Sequence, residues 1–228
     1  MAMDFSDMLA SSIHDIKNSL SLISTTLSGM IDNPKNTFAD THQATLLQHQ
    51  VQRVNHNLMQ LLSLYKLGEG ALSIDIDEQN VEDLFIECLA NNQTICQALG
   101  VTLSYECDPM LNGFFDLEMI RSVIDSTIGN AQRYCKARIQ LSAREEDGFL
   151  VIRVEDDGEG FPAAFLHHGT ADEHLTLDQP RATGRTRLGL IFAEKICDLH
   201  RSGERKGHID VKNNCGGLPG GCFELWLP

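Results

Sequence analysis

The chain has 228 residues, room for two small domains or one large one. Its 18 basic and 32 acidic side chains give a formal charge of −14, so phosphate backbones and anionic lipid repel it. Nucleic acid is therefore not an expected partner, although a small basic pocket for one nucleotide remains compatible with that charge.

At 42% hydrophobic the chain can fill a core. No apolar run approaches the ~18 residues a membrane-spanning helix needs, so no membrane partner is expected. The start, Met-Ala-Met-Asp followed by an amphipathic segment, lacks the basic region and apolar block of a signal peptide. The expected compartment is the cytoplasm. Seven cysteines, at 88, 96, 107, 135, 197, 215 and 222, form no C-x-x-C pair and read as reduced packing residues.

Residues 4–30 read as a helix. Leu9, Ile13, Ile16, Leu20, Ile23, Leu27 and Met30 recur at alternating steps of four and three, which is an a/d seam. Asp4 can cap it, and Asp32-Asn33-Pro34 breaks it. His14 falls one residue off the seam and points outward, with Asp15 beside it and Asn18 one turn on. A second helix opens near Asp40-Thr41. Leu47, Val51, Val54, Leu58, Leu61 and Tyr65 form its seam, and Gly68-Glu69-Gly70 ends it. The spacing predicts an antiparallel hairpin over residues 1–70, and one hairpin cannot bury both stripes. A homodimer closing a four-helix bundle is the natural solution. His42, His49 and His56 lie seven apart on the predicted outer face. Successive ones are about 10 Å apart along the axis, too far to share a metal, so they read as a solvated row.

Residues 71–228 change to a mixed pattern, giving an α+β chain overall. Residues 72–76 read as a strand, 81–97 as a helix and 101–106 as a strand. A helix opens at Asp116 and reaches about Tyr134. Strands at 137–143 and 149–155 flank a Glu-Glu-Asp-Gly turn. Residues 162–186 are polar without a period and read as a mobile loop. A helix over 187–199 and strands at 207–212 and 222–227 close the domain.

Three patches carry candidate chemistry. On the 116–134 helix, Leu117, Ile120, Ile124, Ile128 and Ala131 share one face, while Ser126, Asn130 and Arg133 share the opposite one. An Asn carbonyl suits Mg²⁺, and Arg suits phosphate oxygens. Asp156-Asp157-Gly158-Glu159-Gly160 follows a strand directly. A carboxylate there can accept from an exocyclic amine, and the glycines let backbone approach a planar base. Gly184-Arg185-Thr186-Arg187-Leu188-Gly189-Leu190 opens a helix, whose N-terminal N–H groups attract phosphate.

In order and spacing these patches resemble the core of a two-component sensor histidine kinase. That core is a dimerisation and phosphotransfer hairpin, here residues 1–70, followed by a Bergerat-type α/β sandwich that binds ATP, here residues 71–228. His14-Asp15-Ile16-Lys17-Asn18 is similar to the family's H-box, and Asn130-Ala131 with Arg133-Tyr134 to its N-box. Asp156, Gly158 and Gly160 are similar to the G1 box, and Leu188-Gly189-Leu190 to the end of the G2 box.

The resemblance implies that Asn130 ligates Mg²⁺, that Asp156 reads the adenine amino group, and that Arg133 and Tyr134 line the phosphates. It implies that residues 162–186 form an ATP lid, that His14 takes the γ-phosphoryl group and passes it to a receiver-domain aspartate of a response regulator, and that Asp15 and Asn18 assist. No sensor region is evident within these residues, so a separate sensor protein is a possible source of the signal. The chain departs from the family at Ser19, Ser126, Arg185, Arg187 and Gly221. Arg185 and Arg187 stand where glycine is usual, and they can crowd a triphosphate or pair with it. The second reading is therefore a phosphotransfer or docking protein that carries phosphoryl groups on His14 over a degenerate ATP site.

Overall fold

The computed structural model describes the backbone of residues 5–31, 41–168 and 188–228, with the side chains of 16–31, 43–163, 165–166 and 188–228. The chain divides into two compact units, Met1–Leu72 and Ser73–Pro228.

In the first unit, helices α1 (Phe5–Ile31) and α2 (Thr41–Gly68) pack on each other. Gln48 Nε2 donates to Ser28 Oγ at 2.7 Å. Gly70, at φ +67, ends α2: its N–H reaches Leu67 O and that of Ala71 reaches Lys66 O, a Schellman closure that needs the left-handed conformation. The seam residues divide into two rows. Leu20, Leu27, Val51, Leu58 and Tyr65 are half-buried, whereas Ile16, Ile23 and Met30, and likewise Leu47, Val54 and Leu61, stay exposed. The expected solvated histidine row is corrected at two positions, since His49 and His56 are half-buried. His56 shares a contact of 3.0 Å with Gln60, itself buried, and burial lowers the imidazole pKa. The His42 side chain lies outside the described ones.

The second unit is α+β. Its elements run β1 (Asp77–Asn80), α3 (Val81–Leu99), β2 (Thr102–Glu106), β3 (Asn112–Phe115), α4 (Leu117–Tyr134), β4 (Arg138–Glu146) and β5 (Phe149–Asp156). A 3-10 turn (Ala163–Phe165), β6 (His167–His168), α5 (Leu188–Leu199), β7 (Arg201–Ser202), β8 (Arg205–Lys206), β9 (His208–Asn213) and β10 (Gly221–Leu227) follow. The main sheet has the order β2-β4-β5-β10-β9-β6. It is mixed, since β2 runs parallel to β4 and the other pairs are antiparallel.

Residues 72–76 do not pair as a strand. Their alternation is present, with Leu72 and Ile74 half-buried, but the Asp75 N–H goes to Asp116 Oδ2 at 2.8 Å instead of to a ladder. Pairing begins at β1, against β3.

Two caps fix the helices. Asn80 accepts from Asp83 N at the start of α3, and Asp116 Oδ1 from Met119 N at the start of α4. Behind the α4 cap, Asp116 N donates to His200 Nε2 at 3.0 Å, and His200 Nδ1 bonds Ile196 O at 2.9 Å. A ring accepting at one nitrogen and facing a carbonyl with the other is neutral, and burial lowers its pKa accordingly. The core lies between the helices and the sheet. Phe85, Ile120, Ile124 and Ile128 meet Ile139, Leu141, Ile152 and Phe223 there, all essentially without exposure.

Candidate functional site

The α4 stripe buries Ile120, Ile124, Ile128 and Ala131, which turns Asn130 and Arg133 away from the core. They face a cleft that is open to solvent. Its wall is α4 (Thr127, Asn130, Ala131, Arg133, Tyr134), and its floor is the end of β5 with Val154 and Asp156. Gly160, Phe161 and Phe165 follow on one side, Gly189 and Leu190 on the other, and Phe223 lies beneath. Of the residues singled out in the sequence, the structure brings Asn130, Arg133, Tyr134, Asp156, Gly160 and Gly189 to this one cleft.

Asp156 is largely buried, and its Oδ1 accepts from Gly158 N at 2.7 Å. Gly221 N donates to the same carboxylate, and Gly220 N to Asp156 O at 2.9 Å. Burial raises the Asp156 pKa, and the Gly158 and Gly221 N–H groups pull it back only in part. The glycines are required here by space. A Cβ at Gly158 would sit 2.1 Å from Tyr134 O, and one at Gly220 would sit 2.5 Å from both Asp156 O and Oδ1. Asp157, the next residue, faces the other way. Its Oδ1 accepts from the backbone N–H groups of Lys136, Ala137 and Arg138 at 2.9–3.0 Å. Burial works to raise its pKa, but those three donors outweigh it and hold the carboxyl below its ordinary value.

Two features, the Asn213 clamp and the aromatic lining, were missed in the sequence. Asn213, at the end of β9, accepts from Phe161 N at 2.7 Å and donates to Phe161 O at 2.9 Å, a two-point clamp on the loop after β5. Gly160, inside that loop, has φ +82. Phe161, Phe165 and Phe223 give the cleft its apolar lining, and only the sheet register could have placed Phe223 there. Gly189 lets α5 approach α4, because a Cβ would stand 3.0 Å from Ser126 Oγ and 3.6 Å from Asn130 Nδ2.

Asn130 Oδ1 accepts from Arg133 Nη2, and the Arg133 guanidinium lies 5.7 Å from the Tyr134 ring centre. Gly158 supports Asp156 from below without lining the cleft, and Leu188 opens α5 next to it. Arg181, Arg185 and Arg187 lie outside the described residues. His14 and Asp15 fall on α1 with side chains outside the described ones, and Asn18 is exposed on the same helix. Among the described residues, no group of three or more His, Cys, Asp or Glu could hold a metal ion. An Mg²⁺ held by Asn130, a nucleotide and water would not form such a group.

A mixed sheet carrying helices, with a glycine-framed buried carboxylate at a strand end and an Asn–Arg pair on the facing helix, has the features of a Bergerat-type ATP-binding domain. The family described as histidine kinase-, DNA gyrase B-, and HSP90-like ATPase matches residues 115–228, and the chain belongs to it. Within that family its ATP-binding core is of the sensor histidine kinase kind. The Escherichia coli (strain K12) sensor protein PhoQ is 26% identical over 149 residues, and Salmonella typhimurium (strain LT2) PhoQ is 24% identical over 149 residues. Each alignment covers 65% of this chain but only 30% of the relative, so the chain spans under a third of those proteins. The Acinetobacter baumannii histidine kinase AdeS shares the fold at TM-score 0.59 and 18% identity, covering 94% of this chain and 96% of that one. Full-length ShkA in complex with AMPPNP gives TM-score 0.63 at 20% identity, over 96% of this chain and 44% of that one. No helix among the described residues is long and apolar enough to cross a membrane.

Proposed function

We propose that the chain is the kinase core of a two-component system, transferring the γ-phosphoryl group of ATP to His14 and onward to a receiver-domain aspartate of a response regulator. The observation that carries this reading is the Asp156 carboxylate, sunk in the cleft floor and framed by Gly158, Gly220 and Gly221 opposite Asn130. An acceptor so placed suits an exocyclic amine, and the aromatic lining suits a planar base. The family match and the histidine kinase relatives support the same conclusion.

In this reading ATP supplies the phosphoryl group and Mg²⁺ neutralises its charge. Asp156 accepts from the adenine amino group. Asn130 Oδ1, which accepts from Arg133 here, would hold Mg²⁺, and the Arg133 guanidinium suits phosphate oxygens. Tyr134 flanks the phosphates, Leu188 and Gly189 bring the α5 N-terminus to them, and Arg185 and Arg187 pair with them from the lid. Asp15 holds the His14 imidazole so that one nitrogen attacks in line, ADP leaves, and Asn18 orients the transferred group. Residues 1–70 supply the dimer and the phosphorylated helix. The cytoplasm is the compartment.

Incubation with ATP labelled at the γ position tests this. The label is expected on His14 alone, lost in acid and kept in base as a phosphoramidate requires, and absent from His14→Gln. Label surviving that substitution overturns the assignment. A chain that binds no nucleotide yet accepts phosphoryl groups on His14 from a phosphorylated receiver is the phosphotransfer protein instead.

A further inference from the structure

The two helices that bound the cleft are joined at their far ends by a buried histidine that the proposed chemistry does not use. His200, the residue after α5, is essentially without exposure. Its Nε2 accepts from the backbone N–H of Asp116, the N-cap of α4, at 3.0 Å, and its Nδ1 bonds Ile196 O at 2.9 Å. A backbone N–H only donates, so Nε2 is the bare nitrogen and Nδ1 carries the proton. The backbone of His200 is fixed as well. Its N–H reaches Cys197 O at 2.9 Å, and its carbonyl accepts from Gly207 N at 2.8 Å. The ring is a rigid acceptor, held by the end of α5 and offered to the start of α4.

The same helices meet again at the cleft. Gly189, at the start of α5, approaches α4 so closely that a Cβ would stand 3.0 Å from Ser126 Oγ. α4 and α5 are thus antiparallel and pinned near both ends. At about 1.5 Å per residue, Asp116 and Ser126 lie about 15 Å apart along α4, and Gly189 and His200 about 16 Å apart along α5. The spacings match, so the bond at one end sets the register at the other. A slide of α5 drives Gly189 into Ser126 or opens a gap beside Asn130, because a close-packed helix transmits displacement along its length. In the proposed function Asn130 and the α5 N-terminus serve the phosphates, whereas Asp156 on β5 serves the base. We infer that the Asp116–His200 hydrogen bond is a latch that holds α5 in register with α4, which makes His200 a positioning residue for the phosphate end of the nucleotide. This inference rests on the function proposed above.

A third segment is tied to the latch. The Asp116 carboxylate caps α4 through Oδ1, accepting from Met119 N at 2.9 Å, and takes Asp75 N at 2.8 Å through Oδ2. Asp75 belongs to residues 73–76, which precede β1 and pair with no strand among the described residues. Asp116 alone therefore joins residues 73–76, the start of α4 and, through His200, the end of α5. A displacement of residues 73–76 reaches the cleft by this route. Coupling is reciprocal, so nucleotide in the cleft steadies the Asp75 N–H bond by the same free energy. A bond with a merely structural role, once removed, loosens the domain and weakens base and phosphate contacts alike. A latch on helix register acts on the phosphate end alone.

The full chain, His200→Phe and His200→Gln are titrated calorimetrically with ADP plus Mg²⁺ and with adenosine. His200→Phe keeps a ring in the site but offers the Asp116 N–H no acceptor. It is expected to bind ADP more weakly by about fivefold or more, the lower end of coupling between two sites, and to bind adenosine as the unmodified chain does. His200→Gln, whose side-chain carbonyl can take the Asp116 N–H, is expected to recover most of the ADP affinity. Equal losses for ADP and adenosine overturn the latch, and so does unchanged ADP affinity in His200→Phe. If His200→Phe fails to fold, amide hydrogen exchange of the unmodified chain, read by NMR, decides the point. ADP with Mg²⁺ should slow exchange at Asp75 and Asp116, and adenosine should not. Exchange at both amides that ignores ADP overturns the inference. A chain that binds neither ligand overturns the proposed function, and the inference falls with it.

Discussion

Asp156 and Asp157 are neighbours in sequence with opposed environments. Burial lifts the Asp156 pKa beside the cleft, while three backbone donors depress that of Asp157 behind it. The pair shows how one acidic dipeptide divides into a carboxylate facing the cleft and a structural anchor behind it. Asp156→Asn keeps an oxygen for Gly158 N but sets an amide donor against the adenine amino group. Loss of a charge-assisted bond of about 1.5–3 kcal/mol should weaken ATP some tenfold to hundredfold in calorimetry, with little change in melting temperature. Asp157→Ala should do the reverse first, lowering the melting temperature because three N–H groups lose their acceptor. A third carboxylate, Asp125 on α4, accepts from Asn92 Nδ2 at 2.7 Å, and burial raises its pKa from 3.8 to about 6. A folded value above the unfolded one means the linked stability is full below 3.8 and is lost as pH rises through about 6. Asp125→Asn keeps the acceptor without the charge. At neutral pH it should stabilise by on the order of 1–2 kcal/mol, and the gain should vanish in acid below the unfolded pKa; urea unfolding at both pH values checks this.

Elements turn such residues into a site through contacts between segments far apart in the chain. Asn213 reaches Phe161 from 52 residues away and replaces the ladder partner that the loop after β5 lacks. Asn213→Ala should cost about 1–2 kcal/mol, near 2–8 °C in melting temperature for a domain of this size, and should weaken nucleotide binding through the freed loop. Asn213→Ser should recover part of both. This contact also marks where sequence reading stops. The α4 stripe, the Asp116 cap and the strand ending at Asp156 were legible because each depends on local period or local capping chemistry. Asn130, Arg133, Asp156, Gly160 and Gly189 were picked out as chemistry-bearing residues at element ends, and Tyr134 through the resemblance to the N-box. Asn213, Phe223 and the Asp157 anchor were not, because register and loop pairing arise only when β5, β9 and β10 come together. The false strand at residues 72–76 has the same origin in reverse. Its alternation is correct for a half-buried segment, but the Asp116 carboxylate takes the Asp75 N–H. Segments as short as β6, β7 and β8 carry too few residues to show any period.

For the molecule as a whole, the informative surface is the uncovered half of each helical seam in the first unit. Packing α1 on α2 consumes the row of Leu20, Leu27, Val51, Leu58 and Tyr65 only in part, and it leaves Ile16, Ile23 and Met30, with Leu47, Val54 and Leu61, in water. Three large apolar side chains at heptad spacing form a stripe on each helix, six in all, that another helical surface of the same period covers well. A second copy supplies such a surface by symmetry, since an isologous contact sets each stripe against its equivalent. At about 25 cal/mol per Å² such burial outweighs the ordering of a few side chains, which favours a dimer at micromolar concentration. Sedimentation equilibrium should give about twice the 25.3 kDa chain mass. Ile23→Asp and Val54→Asp each place a charge in the dimer seam but on the exposed side of the single chain. They should yield monomers that keep their helix content and their ATP affinity, because the cleft lies wholly in the second unit. Leu58→Asp, on the half-buried row, should instead lower helicity and dimerisation together. Equal sedimentation of Val54→Asp and the unmodified chain would show that the exposed stripe is not the dimer seam.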